Sequence, residues 1–377
     1  MSDVGPVSTL ALARYFLGLG ATGFGGPVAL VGYMQRDLVE RRAWFTEGEF
    51  ADGLALAQVS PGPLAAQLAM YLGWRRGGVG GATLTAVAFV APPFAMVLAI
   101  AVLYVRAGEL AWLRDAFVGV GAGVVCILAR STIKLARLTL YRERLLWAIA
   151  AVNAGAVLAL QRESVPLLAA SGAAVLAVRS AWRPTPLLAA APWLATYAPA
   201  PLAGAGALEL FVFFAQAGAA VFGSGLAIVP FLYTGLVEQR HWLTERQFLD
   251  AIAVSMITPG PVVITATFIG YLVGGVLGAC VAALGVFLPA YLVVLLVAPR
   301  FAAIVGNARV RHVVAGVTAG ATGAIAGAAI LLSSRVLTDA RGLAIAAVVL
   351  VALLSRTKLP EPLLIAGAGL LGIALGS

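Results

Sequence analysis

The sequence predicts an all-α integral membrane protein built from two copies of one multi-span module. Three observations predict this. Hydrophobic residues fill 62% of the 377 positions and charged residues only 11%, against about 25% charged in soluble domains. The mean hydropathy of +0.99 leaves no room for a sizeable soluble domain. A block beginning at Trp44 also returns about 198 residues later, at Trp242.

Charges come in short clusters, and the stretches between them are long enough to be spans, which need roughly 20 mostly apolar residues. Each half reads as about six such stretches: near 12–35, 50–74, 79–105, 116–133, 145–161 and 164–179, then near 210–236, 249–274, 276–298, 313–333, 342–354 and 361–376. Met1 to Thr9 carries no basic run, so the first stretch is expected to be kept as an anchor and not cleaved as a signal. The net charge is +9, and its basic residues lie between apolar spans. That points to membrane topology and not to nucleic acid. Cys126 and Cys280 have no paired spacing, and the histidines are only His241 and His312. No disulfide, metal site or cofactor is expected.

In the repeat, Trp44–Pro63 and Trp242–Pro261 are identical at 9 of 20 positions, including Trp, Thr, Glu, Phe, Asp and a Pro-Gly-Pro triplet. After a one-residue slip Gly73 aligns with Gly270, Pro92 with Pro289 and Gly119 with Gly316. Internal repeats are common in secondary transporters. The expected boundaries are 1–183 for the N-terminal repeat, 184–207 for a connector that could itself cross, and 208–377 for the C-terminal repeat. If every stretch crosses, Lys and Arg divide 12 to 13 between the two sides without a crossing connector and 17 to 8 with one. The positive-inside rule therefore favours inverted halves.

Chemistry concentrates at helix-breaking residues. Thr46 with Glu49, and Thr244 with Gln247, read as capping boxes that start a helix in each half. Those helices should break near the midplane at Pro61-Gly62-Pro63 and Pro259-Gly260-Pro261, because proline removes a backbone donor and pushes Ser60 or Thr258 out of helical geometry. A new half-helix then presents free N–H groups and a positive dipole end, an anion site. Ser60, Thr258, Gln58, Gln67, Thr265 and Thr267 are candidate donors beside it; a packing kink is the alternative. Gly25-Gly26-Pro27 and Gly223-Ser224-Gly225 read either as a second break facing the first or as close helix packing. Asp52 and Asp250 are proton-coupling candidates, or first-turn acids complementing the helix dipole. Arg36, Arg75 and Arg76 are candidates to guide an anion, or interfacial anchors. No catalytic Ser-His pair or acidic cluster suggests an enzyme.

Phe24-Gly25-Gly26-Pro27, Val39-Glu40-Arg41-Arg42-x-Trp44 and Ser60-Pro61-Gly62-Pro63, with Phe222-Gly223-Ser224-Gly225, Thr258-Pro259-Gly260-Pro261 and Phe268-Ile269-Gly270-Tyr271, resemble the chromate transporter (CHR) family in its two-domain form. The resemblance implies a multi-pass protein of the bacterial inner membrane that exports chromate on the proton motive force. Sulfate or another anion is the alternative substrate, a channel or membrane-embedded enzyme the more distant one. The partners expected are the oxyanion and the lipid bilayer, with a homodimer left open. Many members of the family carry His where this chain has Leu30, so no pH role of that His is carried over.

Overall fold

The computed structural model describes residues 7–24, 26–107, 111–140, 143–160, 165–179, 206–221, 228–300, 308–337, 339–355 and 361–376. They are helical nearly throughout, with no strand among them. The connector expected at 184–207 lies outside the described residues except for its last two positions.

Helix α1 (Thr9–Thr22) ends at Gly23, and α2 (Gly26–Met34) continues through looser i→i+5 turns over Gln35–Arg41. This brings the chain back beside α1: the Arg42 guanidinium lies 5.3 Å from the Tyr15 ring and 4.7 Å from that of Trp44. Ala43 turns the chain in the left-handed region (φ 46°). Helix α3 (Glu47–Val59) then starts on the expected capping box. Ser60 closes it in extended geometry (ψ 151°), as a residue before proline should.

Helix α4 (Leu64–Ala107) returns along α3. A Cβ at Gly53 would strike Tyr71 and Leu68, and Arg76 reaches back to Glu49 and the Trp44 carbonyl. The stretch 50–74, expected to cross the membrane with a break in it, therefore doubles back. The reason is Gly62, whose φ of +138° reverses the chain where two prolines have already ended the helix. The expected loop count changes with it. Arg36, Arg41 and Arg42 share a side with Arg75 and Arg76, so the assumed crossing between them is absent and the count no longer discriminates between orientations.

At Gly77 (φ −143°, ψ 22°) and Gly78 (φ 57°, ψ −142°) α4 turns again, and a long limb begins at Val79. It runs parallel to α1: Thr9 lies against Gly77 and Gly81, and Gly20 against the Phe89 carbonyl.

The second half repeats the path through α8 (Ala207–Ala220), α9 (Ile228–Tyr233, extended by Thr234–Gln239), α10 (Glu245–Ile257) and α11 (Thr265–Val297). Equivalent positions match in backbone detail. His241 turns with φ 52° as Ala43 does, and the α11 bend at Gly274 (φ −141°, ψ 23°) and Gly275 (φ 61°, ψ −151°) matches that in α4. Arg240 lies 4.7 Å from the Phe213 ring as Arg42 lies over Tyr15.

The remaining helices are α5 (Ala111–Thr139), α6 (Arg144–Leu160) and α7 (Val165–Arg179), then α12 (Ala308–Val336), α13 (Ala340–Leu354) and α14 (Glu361–Gly376). They interleave. Helix α5 packs on α13 and α14, while α12 packs on α6 and α7. Gly119 meets the Ala368 carbonyl and its equivalent Gly316 meets the Ser171 carbonyl. Such small-residue contacts let backbones approach closely in a bilayer.

Among the described residues, four helical stretches are long and apolar enough to cross a membrane: Leu64–Arg106, Asp115–Lys134, Val262–Arg300 and Ala308–Ser334. Val87, Leu103, Leu277, Leu284 and Leu296, all more than half exposed, give the two long limbs the apolar outer face that lipid requires.

A Cβ at Gly218 would lie 2.2 Å from the Val286 carbonyl oxygen, whereas Gly18 has open space. Gly218→Val should destabilise the folded protein in detergent by about 1–3 kcal/mol or more, read as a lowered melting temperature. Gly18→Val should leave it unchanged.

Candidate functional site

Four helix ends meet in pairs inside the protein, that of α3 with that of α8 and that of α1 with that of α10. Two backbone hydrogen bonds join them crosswise. The Gly62 N–H donates to the Val221 carbonyl at 2.6 Å, and the Gly260 N–H donates to the Gly23 carbonyl at 2.9 Å. Gly260 is the repeat equivalent of Gly62, and Val221 that of Gly23. Each half thus terminates the other's broken helix.

The glycines are sterically required. Both hold positive φ, +138° and +101°. A Cβ at Gly62 would lie 2.7 Å from the Ala290 Cβ, and one at Gly260 would lie 2.8 Å from the Pro93 ring. Ala290 and Pro93 are again equivalent positions, so each turn seats on the long limb of the other half.

The first helical hydrogen bond of α4 runs from the Gln67 N–H to the Pro63 carbonyl (2.9 Å), which leaves the Leu64, Ala65 and Ala66 N–H groups ahead of it without a helical acceptor. In the second half the Ile264 N–H donates to the Pro261 carbonyl (3.0 Å), with Val262 and Val263 ahead of it. All five residues are at most 8% exposed. The arrangement buries two positive helix ends, one in each half.

The neighbouring polar side chains are mostly spent on the protein itself. The Ser60 hydroxyl donates to the Leu56 carbonyl (2.6 Å), and the Thr258 hydroxyl to that of Val254 (3.0 Å). Gln67 donates from Nε2 to Ser60 Oγ (3.1 Å) and the Pro61 carbonyl (2.7 Å), tying the turn shut. Thr265 donates to the Val262 carbonyl. Gln67 Oε1 and Thr267 Oγ1 are buried and have no partner among the described residues. Gln58 is exposed. Gly26 and Pro27 open α2; Gly25, Gly223, Ser224 and Gly225 lie outside the described residues.

The arginines stand at the hairpin bases and are paired. Arg36 donates to Asp37 at 2.9 Å, which holds that carboxyl below its usual range. Arg76 grips Glu49 at 2.9 Å through two nitrogens, donates to the Trp44 carbonyl at 2.6 Å and stacks 4.2 Å from the Phe45 ring. Burial alone would raise the Glu49 carboxyl, but the bonds from Arg76 and the Thr46 N–H outweigh it and hold it at about 2. Its stabilising contribution is complete above the ordinary glutamate value and fades as pH falls toward 2. Arg75, half exposed, adds a 3.2 Å contact to Glu49.

The two aspartates part company. Asp52 is exposed, whereas Asp250 is 2% exposed and accepts a 2.7 Å hydrogen bond from the Tyr104 hydroxyl. Sequence reasoning missed Tyr104, Pro93 and Ala290. Pro92 and Pro289 mark the right limbs, but nothing local to Tyr104 announces a partner 146 positions away. A recess lined by Val157, Pro230, Tyr233, Thr234, Ala328, Leu331 and Leu332 contains none of the turn residues. Among the described residues no group of three His, Cys, Asp or Glu is placed to hold a metal.

The sequence model of a family described as "Chromate transporter" matches residues 10–178 and 208–373. The chain is 48% identical to the chromate transport protein of Cupriavidus metallidurans, over 98% of this chain and 94% of that one. It is 49% identical to a probable chromate transport protein of Synechococcus elongatus, over 97% and 95%. It is 33% identical to the chromate transport protein of Pseudomonas aeruginosa, over 97% and 92%. No solved structure matches it.

Because Arg76 closes the α3–α4 hairpin at its base, Arg76→Ala should cost about 1.5–3 kcal/mol of stability. Arg75→Ala, at a half-exposed contact, should cost about 1 kcal/mol or less. Thermal unfolding of the purified variants measures both.

Proposed function

The chain belongs to the chromate transporter family, a family of transporters and not of enzymes, and from that premise we propose that it is a secondary transporter of the bacterial inner membrane that exports chromate on the proton motive force. The observation that carries the reading is the crossed pair of turns. They are buried, held by backbone bonds between the halves, and flanked by N–H groups that have no helical acceptor at two helix starts. A tetrahedral dianion is well matched to such donors, which supply partial positive charge without a titrating cation. Gln67, Ser60, Thr258 and Thr267 shape the surroundings of those donors. The arginines act at the hairpin bases.

The halves are proposed to be inverted in the membrane, now on geometry instead of loop charge. The Thr83 and Tyr291 hydroxyls lie 2.6 Å apart, joining the beginning of one long limb to the later part of the other. Tyr291 is the equivalent of Phe94, and eleven residues of helix is about 16 Å. Two equivalent helices related by a two-fold axis along their length would meet at equal heights. An offset of this size fits antiparallel limbs and an axis in the membrane plane, with hairpins entering from opposite faces.

The experiment is chromate flux into proteoliposomes containing the purified chain. Uptake should saturate, should depend on an imposed pH gradient, and should be competed by sulfate, which has the same shape and charge. Gly62→Leu and Gly260→Leu should each lower uptake at least about tenfold, about 1.4 kcal/mol or more, while the protein remains inserted. Full activity in both variants would remove the site from the turns. Sulfate flux exceeding chromate flux would reassign the substrate.

A further inference from the structure

We propose that Asp250 alone carries the coupled proton, that Tyr104 of the opposite half is its positioning residue, and that Asp52 takes no part. This deepens the proton-coupled reading above and rests on it. Asp52 and Asp250 occupy equivalent places in the repeat, so the fold offers two identical sites and the structure treats them differently. Asp52 is exposed. Asp250 is 2% exposed and holds the Tyr104 hydroxyl at 2.7 Å. Among the described residues, the charged group acting on it is Arg246, one turn earlier on its own helix.

A carboxylate this far from water is costly and persists where it has a task. The Tyr104 ring is itself held, 5.2 Å from the Phe268 ring and 5.4 Å from that of Phe117. Tyr104 is carried by the long limb of α4, whereas Asp250 and Phe268 both belong to the hairpin of α10 and the start of α11. The hydrogen bond spans the seam between the halves. When the α10 hairpin shifts against that limb, the carboxylate loses this donor, and the protonated form becomes the favoured one. Asp250 and Gly260 ride on the same hairpin, ten residues or about 15 Å apart. Proton uptake at its base is thus tied to the position of its tip, where the anion binds, without direct contact between proton and anion.

Two readouts in proteoliposomes of the full chain separate coupling from binding: chromate uptake driven by a pH gradient, and chromate–chromate counterflow at uniform pH. Asp250→Asn should lose at least about tenfold of the driven uptake yet keep counterflow within about twofold. Asp52→Asn should keep both. Tyr104→Phe should keep counterflow and raise the pH of half-maximal driven uptake by about one unit, since the charged form loses a donor. Undiminished driven uptake in Asp250→Asn, or its loss in Asp52→Asn, overturns the assignment. If Asp250→Asn also loses counterflow, the Tyr104→Phe profile decides, and an unshifted profile overturns it. A wild-type protein that performs counterflow but ignores the pH gradient would overturn the proton-coupled reading itself.

Discussion

The structure depends on one reciprocal pair of backbone hydrogen bonds, Gly62 to Val221 and Gly260 to Gly23. A helix that stops inside a membrane exposes polar backbone, and each unsatisfied group there costs several kcal/mol. Gln67 takes up the Pro61 carbonyl, but the N–H groups of both turn glycines are satisfied by the other half of the protein. That requirement forces direct approach of backbones, and hence glycine at both positions with Pro93 or Ala290 against them. It also explains why the two repeats do not fold as separate lobes. The outer helices are exchanged in the same way, α5 into the second half and α12 into the first.

Backbone symmetry coexists with chemical asymmetry. The capping boxes, the left-handed turns at Ala43 and His241, and the double-glycine bends agree closely between halves. The charged locks do not. Glu49 and Arg76 close one hairpin, but Gln247 and Val273 stand at the equivalent places. The second half instead buries Arg240 against Glu209 at 3.5 Å, both less than a tenth exposed. Duplication preserved what the backbone needs. Side chains free of that constraint diverged, and even the retained pair Asp52 and Asp250 stand in different surroundings, one exposed and one buried.

Much of this was legible in the sequence because it is local. Caps, proline breaks and the slip in the repeat each follow from a few adjacent residues. Pro-Gly-Pro says where a helix must end, however, and not where the next one points. The reversal at Gly62 depends on a φ that only the assembled turn fixes, so the crossing read at 50–74 became a hairpin. For the same reason Ser60 and Thr258 looked like free donors, while their hydroxyls turn back onto the preceding helical turn. The contacts of Tyr104 and Gly23 link distant segments and leave no trace in local pattern.

The central claim is that paired hairpins enter from opposite faces and meet at their tips. Single cysteines at Glu47, Val79 and Val276, in a chain with Cys126 and Cys280 replaced, test it most directly when labelled in intact cells with a membrane-impermeant maleimide. Glu47 and Val79 bracket the first proline-broken hairpin, so they should be labelled from the same face despite the apolar stretch between them. Val276, the repeat equivalent of Val79, should be labelled from the opposite face. Glu47 and Val79 on different faces would contradict the hairpin, and Val79 and Val276 on one face would contradict the inversion.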